Sequence, residues 1–390
     1  MMGVVSASVL VRSRFAAIQP LPIFTAPGPA ARLNLVTDSI SVGSLFGGVG
    51  TAIILASQVA SRRGAKLRIV TRTEVADEAA VRQVLDCNDL AFPGNVEFAQ
   101  VQVGDEAAQL DVCAGDRFLT TSWWTTASTL GSVAPEKVDY LLQEDERMFY
   151  PYGDDWIRCQ EVLSRTDIRF VINTELLFDH LVASGLGNLR DCARWFEPAF
   201  PATLFHMDAE AEARPEGGKR RLFFYARPNN ARNLFFRGIE ALDRAVAEGV
   251  VDPEQWEIVL VGKDVPKIQL GGVVEPTVLP TMNWREYGKF IRGVDLGFCL
   301  MSTPHPSYPP LDLAASGAVV LTNRFGLKTD LSGYSTSILC SDLGVTELLQ
   351  GLREGVRRAG DAAARRDAYA RSQMPRSWVD TMATCVEFLG

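Results

Sequence analysis

The chain has 390 residues, of which 47% are hydrophobic and 22% are charged, and this length and composition predict two domains, each with its own core. Its formal net charge of −8 argues against non-specific nucleic-acid binding, which draws its affinity from many Lys and Arg contacts with phosphate. Seven scattered cysteines and three histidines predict neither a disulfide framework nor a metal centre.

Residues 1–31 precede the first regular pattern, and we expect a disordered or peripheral leader there. They lack the basic segment and the full-length apolar segment of a secretion signal. No apolar run in the chain reaches the ~18 residues that a membrane-spanning helix needs. We therefore expect a cytoplasmic protein, and a peripheral association with the inner face of the membrane stays open.

Residues 32–205 alternate apolar strands with amphipathic helices, the pattern of a Rossmann-like domain with a parallel sheet. Predicted strands span 33–37, 67–71, 96–101, 116–121, 138–142 and, as the last of the series, 170–173. A loop and a helix are predicted over 47–60, and a further helix over 77–86. The polar, Gly- and Pro-bearing segment 208–220 then predicts a linker.

Residues 206–376 repeat the alternation and predict a second Rossmann-like domain. Predicted strands span 222–225, 257–261, 296–300, 319–322 and 337–340. Predicted helices span 231–247 and 284–292, and a last helix spans 377–388.

Glycines follow the first predicted strand at Gly47, Gly48 and Gly50 and open a helix. Such a turn lets the backbone approach a phosphate or an acceptor, although helix–sheet packing needs glycine equally often. Arg72 and Thr73 follow the second strand, where a dinucleotide fingerprint requires an acidic residue. The sequence therefore disfavours a dehydrogenase.

A Pro-rich loop at 302–310 leads into a helix, and Pro310 suits the first helical turn. Backbone N–H groups near Ser307 and Tyr308 are expected to face a phosphate, helped by the helix dipole. Asp312, one turn later, is placed to accept hydrogen bonds from a ribose. This segment predicts a nucleotide-sugar site.

Two arginines, Arg227 and Arg232, follow the first strand of the second domain, and guanidinium groups neutralise a leaving diphosphate well. Arg232 would otherwise be a solvated residue at a helix start. In the first domain, Gln143, Glu144 and Asp145 follow a strand, where carboxylates orient an acceptor or act as a general base. Such an acidic run is also common on solvated surfaces.

The Pro-rich segment resembles the donor-binding signature of retaining glycosyltransferases of family 4, with Asp312 in place of its second Glu and Pro304 in place of its first. The loop HPSYPPLD is similar to that of bacterial surface-polysaccharide rhamnosyltransferases, which also carry an acidic segment like that at Gln143. The resemblance implies the GT-B fold, in which two Rossmann-like domains with parallel sheets face each other across a cleft. It also implies that a C-terminal helix, 377–390, returns to the first domain.

Site roles follow from the same resemblance, with no metal or other cofactor. The catalytic residues are expected to be Arg227, Arg232 and Asp145. The donor-binding residues are expected to be Gly48, Val261, Gly262, Lys263, His305, Ser307, Tyr308 and Asp312. The acceptor-binding residues are expected to be Gly50, Trp123, Gln143 and Glu144, although a tryptophan such as Trp123 is as often a core residue.

We therefore expect a glycosyltransferase that moves L-rhamnose from dTDP-L-rhamnose to a glycan or lipid-linked saccharide in cell-surface glycan synthesis, with retention of configuration. Two alternatives stay open: a GT-B nucleotide-sugar epimerase or phosphorylase, and a non-catalytic protein that binds nucleotide sugars or glycans. The acceptor, the linkage and the oligomeric state do not follow from the sequence.

Overall fold

The computed structural model describes residues 4–28, 31–40, 45–105, 107–208 and 218–390. The chain splits into two compact units, Met1–Pro198 with Val379–Gly390, and Ala199–Trp378. Most of the predicted linker, residues 209–217, lies outside the described residues. So do residues 1–3, 29 and 30 of the predicted leader.

The first unit is built around a parallel sheet of seven strands in the order β4-β3-β2-β6-β7-β8-β9, and β1 and β5 form a separate parallel pair. Its elements are α1 (Ala7–Arg14), β1 (Ile23–Thr25), β2 (Arg32–Thr37), α2 (Gly50–Arg63), β3 (Lys66–Thr71), α3 (Glu78–Cys87), β4 (Glu97–Gln100), β5 (Leu110–Val112), β6 (Arg117–Thr120), α4 (Trp123–Leu130), β7 (Val138–Leu142), α5 (Asp154–Leu163), β8 (Arg169–Asn173), α6 (Glu175–Ala183), α7 (Leu189–Cys192) and β9 (Ala193–Phe196). Strands such as β7 are buried along their whole length, which explains their near-continuous apolar sequences.

The second unit is built around a parallel sheet of six strands in the order β12-β11-β10-β13-β14-β15. Its elements are β10 (Arg220–Tyr225), α8 (Phe235–Ala247), β11 (Trp256–Val261), β12 (Thr277–Leu279), α9 (Trp284–Ile291), β13 (Leu296–Phe298), α10 (Tyr308–Ala315), β14 (Val319–Asn323), β15 (Ile338–Ser341), α11 (Val345–Ala359) and α12 (Ala362–Ala370). In both sheets the strand order reverses once, between β2 and β6 and between β10 and β13. Ligands of doubly wound sheets bind beside such switch points, at the carboxyl ends of the strands.

The N-terminal segment is part of the first unit, contrary to the disordered or peripheral leader that we expected. Phe15 and Leu21 are buried. The N–H of Leu21 donates to the carbonyl oxygen of Ser128 at 3.0 Å, and β1 pairs with β5. Burial of these apolar side chains, which the sequence pattern did not reveal, holds the segment in place.

The last helix, α13 (Trp378–Leu389), is anchored on the first unit through its C-terminal carbonyl groups. Arg169 donates to the carbonyl oxygens of Phe388 at 2.6 Å and Leu389 at 3.3 Å, and Arg63 donates to that of Leu389 at 3.0 Å. Cations at this end also complement the helix dipole. In the described part of the chain, every helix is too short or too polar to cross a bilayer.

Candidate functional site

The switch point of the second unit is formed by the loops that follow β10 and β13. The loop after β10 carries Arg227 and Arg232, and the loop after β13 is the Pro-rich segment. The backbone N–H of Ser302 donates to the carbonyl oxygen of Arg232 at 2.7 Å. The structure thus joins the two loops that the sequence analysis assigned to the donor diphosphate.

Two buried side chains hold the Pro-rich loop, one from the last residue of β14 and one from the loop that follows. The amide of Asn323 accepts from the N–H of Met301 at 2.7 Å and donates to the carbonyl oxygen of Met301 at 3.1 Å. The ammonium group of Lys328, a fully buried residue, donates to the carbonyl oxygens of Met301 and His305 at 3.4 Å each. Neither residue was predicted from the sequence, because both are distant from their loop partners along the chain and reach them only in the folded structure.

The backbone ahead of α10 is strained. Ser307 has φ 73° and ψ 145°, a conformation that residues with a side chain rarely adopt and that costs about 1–3 kcal/mol. Its N–H donates to Nδ1 of His305 at 2.9 Å. This N–H is therefore engaged within the loop, which argues against its predicted contact with a phosphate. Of the first three residues of α10, only Tyr308 carries an N–H, because Pro309 and Pro310 follow it.

His305 is buried in this loop, with an exposed fraction of 2%. Burial, followed by the positive charges of Lys328 and Arg232, lowers the pKa of His305 to about 3, so the imidazole is neutral. Since Nδ1 accepts from Ser307, the proton lies on Nε2. Nε2 is buried and has no hydrogen-bond partner among the described residues.

The two predicted catalytic arginines have different surroundings. Arg232 is half-buried and acts electrostatically on His305. Arg227 is exposed and donates to the hydroxyl of Tyr225 at 3.2 Å. The structure therefore brings Arg232 to the Pro-rich loop, whereas Arg227 lies at the outer part of the site.

Asp312 lies on the buried side of α10, and its carboxyl group hydrogen-bonds with Tyr287 of α9. Burial raises the pKa of Asp312 well above its usual range, and the hydrogen bond of Tyr287 opposes that shift. A group in this position links two helices. Its predicted contact with a ribose stays a prediction.

The end of β11 packs closely on the start of the Arg227 loop. Val261 and Gly262 are buried, and a Cβ atom added at Gly262 would lie 1.6 Å from the carbonyl oxygen of Ala226. Lys263, the next residue, is exposed. Glycine is therefore required here by close backbone approach, and the role of these residues at a nucleotide base stays a prediction.

The switch point of the first unit brings the glycine-rich turn and β7 together. Gln143, at the end of β7, donates to the carbonyl oxygen of Gly48 at 2.7 Å and accepts from Asn173, at the end of β8, at 3.3 Å. Gly50 is buried as the first residue of α2, and Glu144 is half-buried. Three residues predicted to bind donor or acceptor, Gly48, Gln143 and Gly50, thus lie at one edge of this sheet.

Asp145 does not have the surroundings of a general base. It is buried, and Arg147 binds both of its oxygens, at 2.8 and 2.7 Å. His180 adds a contact at 3.3 Å. Burial alone would raise the pKa of Asp145, but the hydrogen bonds and charges of Arg147 and His180 outweigh it and lower the pKa. The geometry favours a structural ion pair over the predicted catalytic role.

Trp123 is a core residue, the alternative that the sequence left open. It is buried, its indole N–H donates to Tyr150 at 3.0 Å, and its backbone N–H donates to the carboxylate of Glu146 at 2.8 Å. Such contacts do not fit an exposed sugar-stacking platform. The described residues contain no group of three or more His, Cys, Asp or Glu side chains that could hold a metal ion.

Family models match both units. The model described as "WsaF, N-terminal domain" matches residues 32–175, and "WsaF, C-terminal domain" matches residues 220–353. The O-antigen biosynthesis protein RfbC of Myxococcus xanthus is 28% identical over 340 residues. That match covers 86% of this chain and 25% of RfbC, so the chain spans about a quarter of the length of this relative.

Solved structures show the same architecture. HepE of Anabaena, solved in complex with UDP-glucose, aligns with a TM-score of 0.64 at 13% identity, over 92% of this chain and 99% of HepE. WaaG, a glycosyltransferase involved in lipopolysaccharide biosynthesis, aligns with a TM-score of 0.63 at 14% identity, over 92% of this chain and 99% of WaaG. Together with the two parallel sheets, these likenesses confirm the predicted GT-B fold.

Proposed function

We propose that this chain, which carries both WsaF-type domains, is a glycosyltransferase that moves a sugar from a nucleotide-sugar donor to a glycan in bacterial surface-polysaccharide synthesis. The observation that carries the proposal is the convergence of Arg232, His305 and Lys328 at the switch point of the second unit. The similarity to RfbC supports the pathway, and the UDP-glucose bound by HepE supports the donor class.

The donor that we propose is dTDP-L-rhamnose. This assignment rests on the loop HPSYPPLD, which is similar to that of bacterial surface-polysaccharide rhamnosyltransferases. The acceptor is a glycan or a lipid-linked saccharide, bound at the edge formed by Gly48, Gln143 and Gly50, and the enzyme works at the cytoplasmic face of the membrane.

The reaction breaks the bond between the anomeric carbon of the sugar and the diphosphate oxygen, and joins that carbon to an acceptor hydroxyl oxygen. In the retaining course that we propose, the hydroxyl proton passes to the departing diphosphate. Negative charge grows on that group, and positive groups placed in advance stabilise it. Arg232 and Lys328, with Arg227 at the outer side, supply the positive charge that a metal ion supplies in metal-dependent enzymes.

Substitution of Arg232 by alanine tests the proposal. We expect Arg232→Ala to lower turnover about 100-fold or more, as loss of one stabilising donor does at related sites, with an unchanged melting temperature. Arg237→Ala is the matched control, because Arg237 is exposed on α8 and pairs with Glu240. Full turnover by folded Arg232→Ala would overturn the assignment.

A thermal-shift screen with dTDP-L-rhamnose, UDP-glucose and GDP-mannose tests the donor, since a ligand that binds only the folded state raises its melting temperature. The largest shift is expected with dTDP-L-rhamnose. Mass spectrometry then separates the mechanisms. Transfer to an acceptor supports the proposal, whereas conversion of the donor without an acceptor would point to an epimerase.

A further inference from the structure

Two buried side chains at the switch point of the second unit have hydrogen-bonding atoms that lack a partner among the described residues. They are Asn233, in which both amide atoms are unpaired, and His305, in which Nε2 is unpaired. Their exposed fractions are 1% and 2%. Buried polar groups are nearly always paired, so each of these needs an explanation.

Both side chains lie on the two loops that meet at the proposed donor site. Asn233 follows Arg232, whose carbonyl oxygen accepts from Ser302, three residues before His305. The charge of Arg232 acts on His305 directly. Strained backbone accompanies both, since Leu234 has φ 51° and Ser307 has φ 73°. Such strain persists where surrounding structure maintains it, and it is concentrated at functional sites.

The unpaired atoms define the chemistry of the group that would satisfy them. His305 offers one donor, Nε2–H, and Asn233 offers the donors of Nδ2 and the acceptor Oδ1. A phosphate oxygen only accepts and would leave Oδ1 of Asn233 unpaired, whereas a hydroxyl group both donates and accepts. We infer that Asn233 and His305 together bind hydroxyl groups of the donor sugar. This inference rests on the proposed function and extends it to a sugar-binding subsite.

Both groups are buried, so binding of a sugar at this subsite requires the two loops to separate. A site built to bond a hydroxyl discriminates strongly against a ligand that lacks it, because the buried polar groups are left unpaired. The pair is therefore expected to distinguish a nucleotide sugar from the nucleoside diphosphate.

The test compares Asn233→Leu, a change of similar shape, with the wild-type protein. Calorimetry with dTDP-L-rhamnose and with dTDP is the measurement. We expect about three- to tenfold weaker binding of dTDP-L-rhamnose, the effect of one or two lost hydrogen bonds, and unchanged binding of dTDP. Equal weakening for both ligands would place the contact at the phosphates and overturn the sugar assignment.

Thermal stability separates a ligand-binding role from a structural one. Asn233→Leu removes unpaired atoms and should keep or raise the melting temperature. Asn323→Leu is the matched control, because the amide of Asn323 is bonded to Met301 and Arg324, and this variant should melt at a clearly lower temperature. A similar drop in Asn233→Leu would show that buried water satisfies Asn233, and would overturn the inference.

His305→Asn provides an independent variant. The side-chain oxygen of the new residue takes the place of Nδ1 and keeps the bond to the Ser307 N–H, while the Nε2–H donor is lost. The same loss of affinity for dTDP-L-rhamnose alone is expected. If the wild-type protein binds dTDP-L-rhamnose and both variants bind it equally well, the inference fails. If the wild-type protein binds no nucleotide sugar at all, the proposed function fails.

Discussion

Gly262→Ala should disturb the proposed donor site without changing any side chain that we assign to catalysis. A Cβ atom at this position would lie 1.6 Å from the carbonyl oxygen of Ala226 and 2.7 Å from its carbonyl carbon. Carbon and oxygen atoms in contact are ordinarily about 3.3–3.6 Å apart. Either the end of β10 or the end of β11 must therefore move by well over an ångström. Because Arg227 directly follows Ala226, such a shift displaces Arg227 as well.

The cost of this overpacking is about 1–3 kcal/mol, since the close contact is with backbone atoms and not with a flexible side chain. For a unit of this size, each kcal/mol lowers the melting temperature by about 2–4 °C. We expect a fall of about 2–12 °C and at least tenfold weaker binding of dTDP-L-rhamnose. Thermal melts and calorimetry are the measurements.

Gly333→Ala is the control in the same unit. Nothing lies within 4 Å of a Cβ atom added at Gly333, and its φ is not positive, so this variant should melt and bind like the wild-type protein or be slightly more stable. The reasoning would be refuted by a Gly262→Ala variant with the melting temperature and the donor affinity of the wild-type protein.

Three other predictions concern stability. The pKa of an unfolded histidine is near 6.5 and that of His305 is about 3, so only the unfolded state gains this proton as the pH falls from 6.5 towards 3. The free energy of unfolding should therefore drop by about 1.4 kcal/mol per pH unit in this range. Urea titrations at several pH values measure it, and His305→Asn should lack this contribution. Arg147→Met leaves the buried carboxylate of Asp145 without its main partner and should lower the free energy of unfolding by about 3–5 kcal/mol. Adding Asp145→Asn to this variant should restore part of the loss. Equal melting temperatures for the wild-type protein, the single variant and the double variant would contradict a structural ion pair. Arg169→Met removes donors to the last carbonyl groups of α13 and to the buried carboxylate of Asp139 in β7, and should speed hydrogen exchange in that helix and in β7. Unchanged exchange in α13 would show that Arg63 is sufficient.

Much of the fold could be predicted because its central strands are long, apolar and bounded by turn residues. The strands predicted at 33–37 and 138–142 correspond to β2 and β7 almost residue for residue. The strand β9 was missed, and the prediction that 170–173 ends the sheet was wrong, because two of the four residues of β9 are exposed. The three-residue strands β1, β5 and β12 are too short to give a periodic signal.

The candidate site could be predicted only where adjacent residues in the chain carry the chemistry. Arg232 and the Pro-rich loop each follow a strand, and the carboxyl ends of neighbouring parallel strands lie at the same edge of a sheet. The proximity of Arg232 to this loop could therefore be predicted from the sequence. Lys328 and Asn233 could not be found this way, since a lysine or an asparagine in a loop is usually solvated. The ion pair of Asp145 could not be predicted either, because Arg147, two residues away, folds back onto it only in the tertiary structure.

The prolines of the Pro-rich loop limit the backbone donors that the proposed donor site can offer to a phosphate. A helix N-terminus binds phosphate chiefly through the N–H groups of its first turn. Here Pro309 and Pro310 remove two of these groups, and the N–H of Ser307 is bonded to His305. Tyr308 alone among the first three helical residues carries an N–H group. In the proposed donor complex, the charge of a diphosphate would therefore be balanced mainly by Arg232 and by the ammonium group of Lys328, which donates to carbonyl oxygens of the same loop.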